Sequence, residues 1–232
     1  LIALAALALC ALTSADASRA AREGAALAAS LRSYSVRPWV LWDRKDPLRA
    51  VHGRADLDAV IVETPYEHVR YDGYMQRLQG LPLGAVQIDR FRRDADGRYG
   101  FMVYAHSRTD DRAEAGFLKK FSNASVQLAN AVTLSAVERA YVGSTPAFYD
   151  VGTFREERYT GSLTYRFPAP PSGCAPTGVL RFRDGRGHTY RFSFDLSRKA
   201  ERYRDTDRVL RETAVPSDAL VTAAVEPFAR QR

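Results

Sequence analysis

His68 and Asp72 are the two residues whose types and spacing best suit acid–base chemistry. They stand four apart in Glu63-Thr64-Pro65-Tyr66-Glu67-His68-Val69-Arg70-Tyr71-Asp72, and a helix that begins at Pro65 puts both on one face. A carboxylate placed there orients the imidazole and raises its basicity, which is half of an acid–base or nucleophile-activating arrangement. No serine or cysteine in the same stretch completes it, so a hydrolase built on His68 and Asp72 needs a partner from elsewhere in the fold. An exposed ion pair on a helix surface is the commoner fate of such residues.

Four arginines suggest a different chemistry. Arg166, Arg181, Arg183 and Arg191 fall on alternate positions of strand-like segments, each beside an apolar residue. If those strands are neighbours, the outer face of the sheet is a field of guanidinium groups with Tyr and Phe interleaved. The planar fork of arginine pairs with phosphate and carboxylate groups, so an anionic envelope polymer, a lipid headgroup or a nucleic acid fits the field. The competing account is an ordinary soluble face whose arginines are paired with nearby Asp and Glu. Nucleic acid is set aside, because the chain carries an export signal and has no helix that concentrates positive charge for a groove.

The other reactive residues are scattered. His52, His106 and His188 are far apart; His106 closes the strand-like Tyr104-Ala105-His106-Ser107 just before Asp110-Asp111, where a metal or catalytic role competes with that of a solvent-facing strand end. Cys10 and Cys174 are the two cysteines, too few for a thiolate zinc site. Aligning Gly97 with the invariant glycine of a calcium loop puts Arg92 at the first ligand and Val103 at the bidentate glutamate, so Arg92 to Gly97 is a plain turn. None of the nucleophile-elbow, HExxH or phosphate-loop motifs is spelled out. No cofactor and no metal site is expected. Asn123-Ala124-Ser125 matches the glycosylation sequon.

The compartment is the firmest functional statement. Leu1 to Leu12 is a run of twelve uncharged residues that leads to Ala15-Asp16-Ala17, the apolar core and small-x-small cleavage site of a signal peptide. The run is shorter than the roughly 20 residues a helical span needs, so no transmembrane span remains after cleavage. Lipidation at Cys10 ranks below soluble export, because Leu9 stands where a lipidation signal has a small residue. The expected divisions are a signal peptide at 1–17 whose basic n-region is missing, a leader or linker at 18–38 whose alanine-rich residues 18–33 form a loosely held leader or a short helix, and one globular domain at 39–232. Processing after Ala17 leaves Cys174 alone, in a proline-rich loop, without an intramolecular disulfide.

The whole chain has 232 residues, 46% hydrophobic and 26% charged, with a formal charge of +7. That mix excludes disorder and fibrous repeats and supports one core. Ala59 to Val62 suits a buried strand. Thr64-Pro65-Tyr66-Glu67 is a strong helix start, and the helix runs to about residue 79 before Gly80 and Pro82, with Tyr71, Tyr74, Met75 and Leu78 expected on its buried side. A weaker helix from Leu83 to Asp94 turns Val86 and Phe91 inward, giving a helical hairpin. Alternation then marks strands at 101–106, in the first half of 126–141, and at 163–167. Val179–Arg183 and His188–Leu196 flank Asp184-Gly185-Arg186-Gly187, a hairpin turn, with Leu180 and Phe182 facing Tyr190, Phe192 and Phe194. A short helix closes the chain after Ser217.

The expected class is α+β, an antiparallel β-sandwich-like region with an N-terminal helical hairpin and a short C-terminal helix. This pattern resembles exported bacterial domains with an immunoglobulin-like sandwich, a resemblance that transfers no site. The function expected is that of an exported, non-enzymatic binding or structural module at the bacterial cell envelope, periplasmic or extracellular. Its partner is an anionic envelope component or an envelope protein, and the hydrolase on His68 and Asp72 is the alternative.

Overall fold

A computed structural model describes residues 12–30, 34, 36, 39–46, 48–95, 99–168 and 177–195. Cys10, Cys174 and the expected C-terminal helix lie outside them. The elements, in chain order, are α1 (Ser14–Ala29), β1 (Val40–Asp43), β2 (Asp56–Glu63), α2 (Pro65–Leu78), α3 (Ala85–Ala95), β3 (Tyr99–His106), β4 (Ser125–Leu128), β5 (Thr133–Ser135), β6 (Glu138–Val151), β7 (Phe154–Phe167), β8 (Thr177–Arg183) and β9 (Thr189–Asp195). Two antiparallel sheets form, in the orders β1-β2-β3-β7-β6 and β5-β4-β8-β9.

The alternation of side chains along each strand decides what lies between the layers. Leu57, Val62, Phe101, Val103, Leu163, Tyr165 and Phe167 on the five-stranded sheet meet Val126, Leu128, Leu180, Phe182 and Phe194 on the four-stranded sheet. The opposite face of the larger sheet presents Ile61 and Tyr104 to the helices, against Ala17, Ala20, Ala21, Val69, Ile88 and Phe91. The molecule is therefore helices on a sheet on a sheet, with the sandwich core between the two sheets. At one corner β5 continues through Ala136 and Val137 into β6, so one stretch of chain serves both sheets.

The helix after β2 starts as its sequence dictates: Thr64 accepts a 3.2 Å hydrogen bond from the Glu67 amide and Pro65 takes the first helical position. Its buried side differs from expectation. Tyr66, His68, Val69, Arg70 and Gly73 are buried, while Leu78 is exposed. The reason is α1, which packs along α2 and takes the face that carries Gly73. A Cβ on Gly73 would stand 2.2 Å from the Ala21 carbonyl oxygen, and one on Gly24 would stand 1.8 Å from that of Arg70. Residues 18–29 thus take the second of the two expected forms, a helix, and it is packed closely against α2 instead of loosely held. Alanine and glycine offer little area, but they let two backbones touch. On α3, Phe91 and Ile88 face inward and Val86 is exposed, which corrects the expected inward turn of Val86. Residues 126–141 carry three strand segments, β4, β5 and the start of β6, with non-strand residues at 129–132 and 136–137 between them.

Candidate functional site

The hairpin of β8 and β9 is fixed by its turn. Asp184 Oδ1 accepts from the amides of Arg186, at 2.8 Å, and His188, at 2.9 Å, and Gly187 takes φ +86°. The register that follows pairs Arg183 with Thr189, Phe182 with Tyr190, Arg181 with Arg191, and Leu180 with Phe192. Leu180, Phe182 and Phe194 are buried in the sandwich, so Arg181, Arg183 and Arg191 share the outer face. On the other side of β8, Ser125 of β4 stands opposite Arg181 and Ser135 of β5 opposite Ser125.

Arg181 Nη2 donates to Gln127 Oε1 at 2.7 Å, and its Nε is buried with no hydrogen-bond partner. Arg183 and Arg191 are exposed. Among the described residues none of the three forms an ion pair. Like charges placed directly across a ladder destabilise it, so the Arg181–Arg191 pair works against folding in the absence of an anion. Arg166 leaves the set: it sits on the five-stranded sheet with Nη1 2.5 Å from Glu138 Oε1. The aromatic rings expected among the guanidinium groups also leave, because Tyr190 and Phe192 stack on Phe182 inside the sandwich, at 5.3 and 6.1 Å.

His68 is 7% exposed, with Nε2 3.6 Å from Glu63 Oε2 at the end of β2. Asp72 lies one turn on and is half-buried. The exposed ion pair expected of His68 is replaced by a buried polar layer between α1, α2 and the chain before β1. Arg70, 1% exposed, has its guanidinium carbon 4.9 Å from both the Tyr34 and Trp39 rings, and its Nε lies 4.0 Å from Glu23. Tyr34 donates to Glu67 Oε1 at 3.0 Å. Burial pushes the Tyr34 phenol well above its usual range, raises the Glu67 carboxyl, and lifts Tyr66 to about 12. These shifts come from a closed interior that holds helices to the sheet. An open groove of about 560 Å³ runs along α1 past Ala15, Ser18, Arg19, Arg22, Glu23 and Ala26, and neither His68 nor Asp72 lines it.

The sequence does not reveal a third cluster. His106, expected at a solvent-facing strand end, is 0% exposed, with Nδ1 2.8 Å from Asp58 Oδ1. Tyr149 donates to the other oxygen of Asp58 at 3.1 Å and lies over the imidazole at 4.5 Å. Burial, then the Asp58 carboxylate, pushes the Tyr149 phenol up. Arg158, also 0% exposed, donates to the carbonyls of Arg54 and Val51 and to Glu156. This network joins β2, β3, β6 and β7 at one end of the sheet. It has the Asp-His order of a catalytic pair but no access from solvent. Its one trace in the sequence is Asp58, an acid inside an apolar strand that must find a partner. His52 and His188 are exposed beside Glu156 and Asp184. Among the described residues no group of three or more His, Cys, Asp or Glu is gathered to hold a metal ion, and no helix is long and apolar enough to cross a membrane.

The chain matches no protein-family model, no curated protein and no solved structure.

Proposed function

We propose that the chain is an exported, non-enzymatic module of the bacterial cell envelope that binds an anionic component on the outer face of its four-stranded sheet. The observation that carries this reading is the row in which Arg181 faces Arg191, with Arg183 two residues along, and no ion pair to any of them among the described residues. Natural sheets avoid like charges directly opposite, and an anion lying across both guanidinium groups turns that repulsion into two charge-assisted contacts. The export part rests on the apolar run at Leu1 to Leu12 and the Ala15-Asp16-Ala17 site, with residence in the periplasm or outside the cell. The immunoglobulin-like comparison belongs to the same reading, as a sandwich that binds on a sheet face instead of in a pocket.

The test is equilibrium binding to dextran sulfate, with neutral dextran as control, over a range of salt. The wild type binds the sulfated polymer only, and log affinity falls linearly with log salt. The triple variant R181Q/R183Q/R191Q lowers the steepness of that line by about 2, at roughly 0.7 per charge lost on a flexible polyanion, while R166Q leaves it unchanged. Equal binding by the triple variant and the wild type contradicts the proposal.

A further inference from the structure

The outward positions of β4, β5, β8 and β9 can be enumerated from the register, and they say which kind of anion fits. One row reads Ser135, Ser125, Arg181, Arg191; the next reads Thr133, Gln127, Val179, Ser193; Thr189 stands beside Arg183. Each arginine is therefore bordered by hydroxyl or amide side chains. Val179 is the one apolar side chain in these rows, and it is half-buried. The one carboxylate at an outward position of these four strands is Asp195, four residues from Arg191 and opposite Thr177 at the far end. Among the described residues no aromatic ring stands at an outward position of these four strands, since Tyr190, Phe192 and Phe194 all pack inward.

We infer that the ligand of this face is an acidic polysaccharide, a sugar chain that carries a carboxylate, sulfate or phosphate every one or two units. This rests on the anionic-ligand reading above and adds the chemistry between the charges. Single-stranded nucleic acid is held by aromatic platforms on which bases stack, and the described residues of the face supply none. A membrane surface is held by basic residues next to large apolar side chains that enter the acyl boundary, and the described residues of the face supply none of those either. A sugar chain needs what is present: guanidinium groups for its anions and hydroxyl and amide groups for its own hydroxyls. The spacing also fits. Neighbouring strands stand about 5 Å apart and alternate residues on one strand about 7 Å apart, so the three guanidinium groups recur at intervals comparable with one sugar unit.

The experiment compares polygalacturonate, dextran sulfate, inorganic polyphosphate, poly(dT) and phosphatidylglycerol vesicles at equal anionic charge, with wild type, R181Q/R183Q/R191Q and S125V/S193V. Melting curves establish that each variant is folded, and R191Q alone, an exposed position, replaces the triple variant if that one does not fold. The expected result is that polygalacturonate or dextran sulfate binds more tightly than poly(dT) or vesicles. S125V/S193V weakens the preferred polysaccharide roughly three- to tenfold and leaves polyphosphate unchanged. Which of the two polysaccharides binds tighter separates a carboxylated ligand from a sulfated or phosphorylated one. Tighter binding of poly(dT) or vesicles, or no effect of S125V/S193V, overturns the polysaccharide inference while the anion-binding face stands. Binding of every polyanion that is indifferent to the arginine substitutions overturns both.

Discussion

Asp58 shows how much a single buried charge demands of the residues around it. Its two oxygens are shared between His106, at 2.8 Å, and Tyr149, at 3.1 Å, with Arg44 Nε at 3.8 Å. Removing one partner leaves a desolvated carboxylate short of a contact, which is worse than never having buried the group. His106→Leu is therefore expected to lower the unfolding free energy by about 3 kcal/mol, and Tyr149→Phe by about 1 kcal/mol. His52→Ala removes an exposed pair with Glu156 and shifts stability by no more than about 0.5 kcal/mol. Denaturant titration of the three variants checks the order, and a His106 variant as stable as the His52 variant contradicts a network under the sheet's end. The same residue could not be placed from sequence. Its partners are 48 and 91 positions away along the chain, whereas sequence pattern reports neighbours at two to four. His68 failed differently: its helix was legible from Thr64 and Pro65, but which face of that helix is covered depends on α1.

Helix α1 is the element whose role its composition concealed. Hydrophobic pattern weighs apolar area, and a run of alanines scores low on it, yet Ala17, Ala20 and Ala21 are wholly buried because α2 approaches as closely as backbones can. Any side chain at the crossing forces the helices apart. Gly24→Val or Gly73→Val is expected to destabilise the protein by at least about 2 kcal/mol, and Val86→Ala, on an exposed position of α3, by less than about 0.5 kcal/mol. Comparable losses at all three positions contradict the close crossing. The expected processing after Ala17 bears on the same helix. Thr13 caps α1 by accepting from the Asp16 amide at 3.1 Å, so a chain beginning at Ser18 loses that cap and the first turn. It should be less stable than one beginning at Leu12 by about 1 kcal/mol, measurable by thermal melts of the two. The strands were more legible than the helices' faces. The β8–β9 hairpin, its turn and its inward set follow from two-residue alternation, because that pattern is local and its register is set by Asp184. The order of strands within each sheet depends on contacts between distant segments, and nothing local records it.

At the scale of the whole molecule, two features follow from how the layers close. The sandwich and the helix layer bury phenols: Tyr34, Tyr66, Tyr149, Tyr165 and Tyr190 all have folded-state pKa values above the usual 10, with burial the first cause in each. Their unfolded counterparts ionise near pH 10, and the folded ones stay protonated. The native state then holds more protons than the unfolded one, so stability present below pH 10 is lost as pH rises, until each folded phenol titrates, Tyr66 at about 12. Each such phenol contributes a loss of up to about 1.4 kcal/mol per pH unit. Denaturation midpoints at pH 8, 10 and 11 should fall over both intervals, and more steeply per pH unit over the last; a flat profile to pH 11 contradicts the burial. The second feature is the division of the two sheets' outer faces. Helices cover the larger sheet, and the described residues leave the smaller one's arginines without carboxylate partners. The most direct test of that face follows the guanidinium Nε–Hε resonances by NMR as dextran sulfate is added to the full chain. The signals of Arg181, Arg183 and Arg191 should shift together and saturably while that of Arg166, held by Glu138, stays in place. Shifts spread evenly over the protein's arginines, or larger at Arg166 than at the three, would contradict a binding face on the four-stranded sheet.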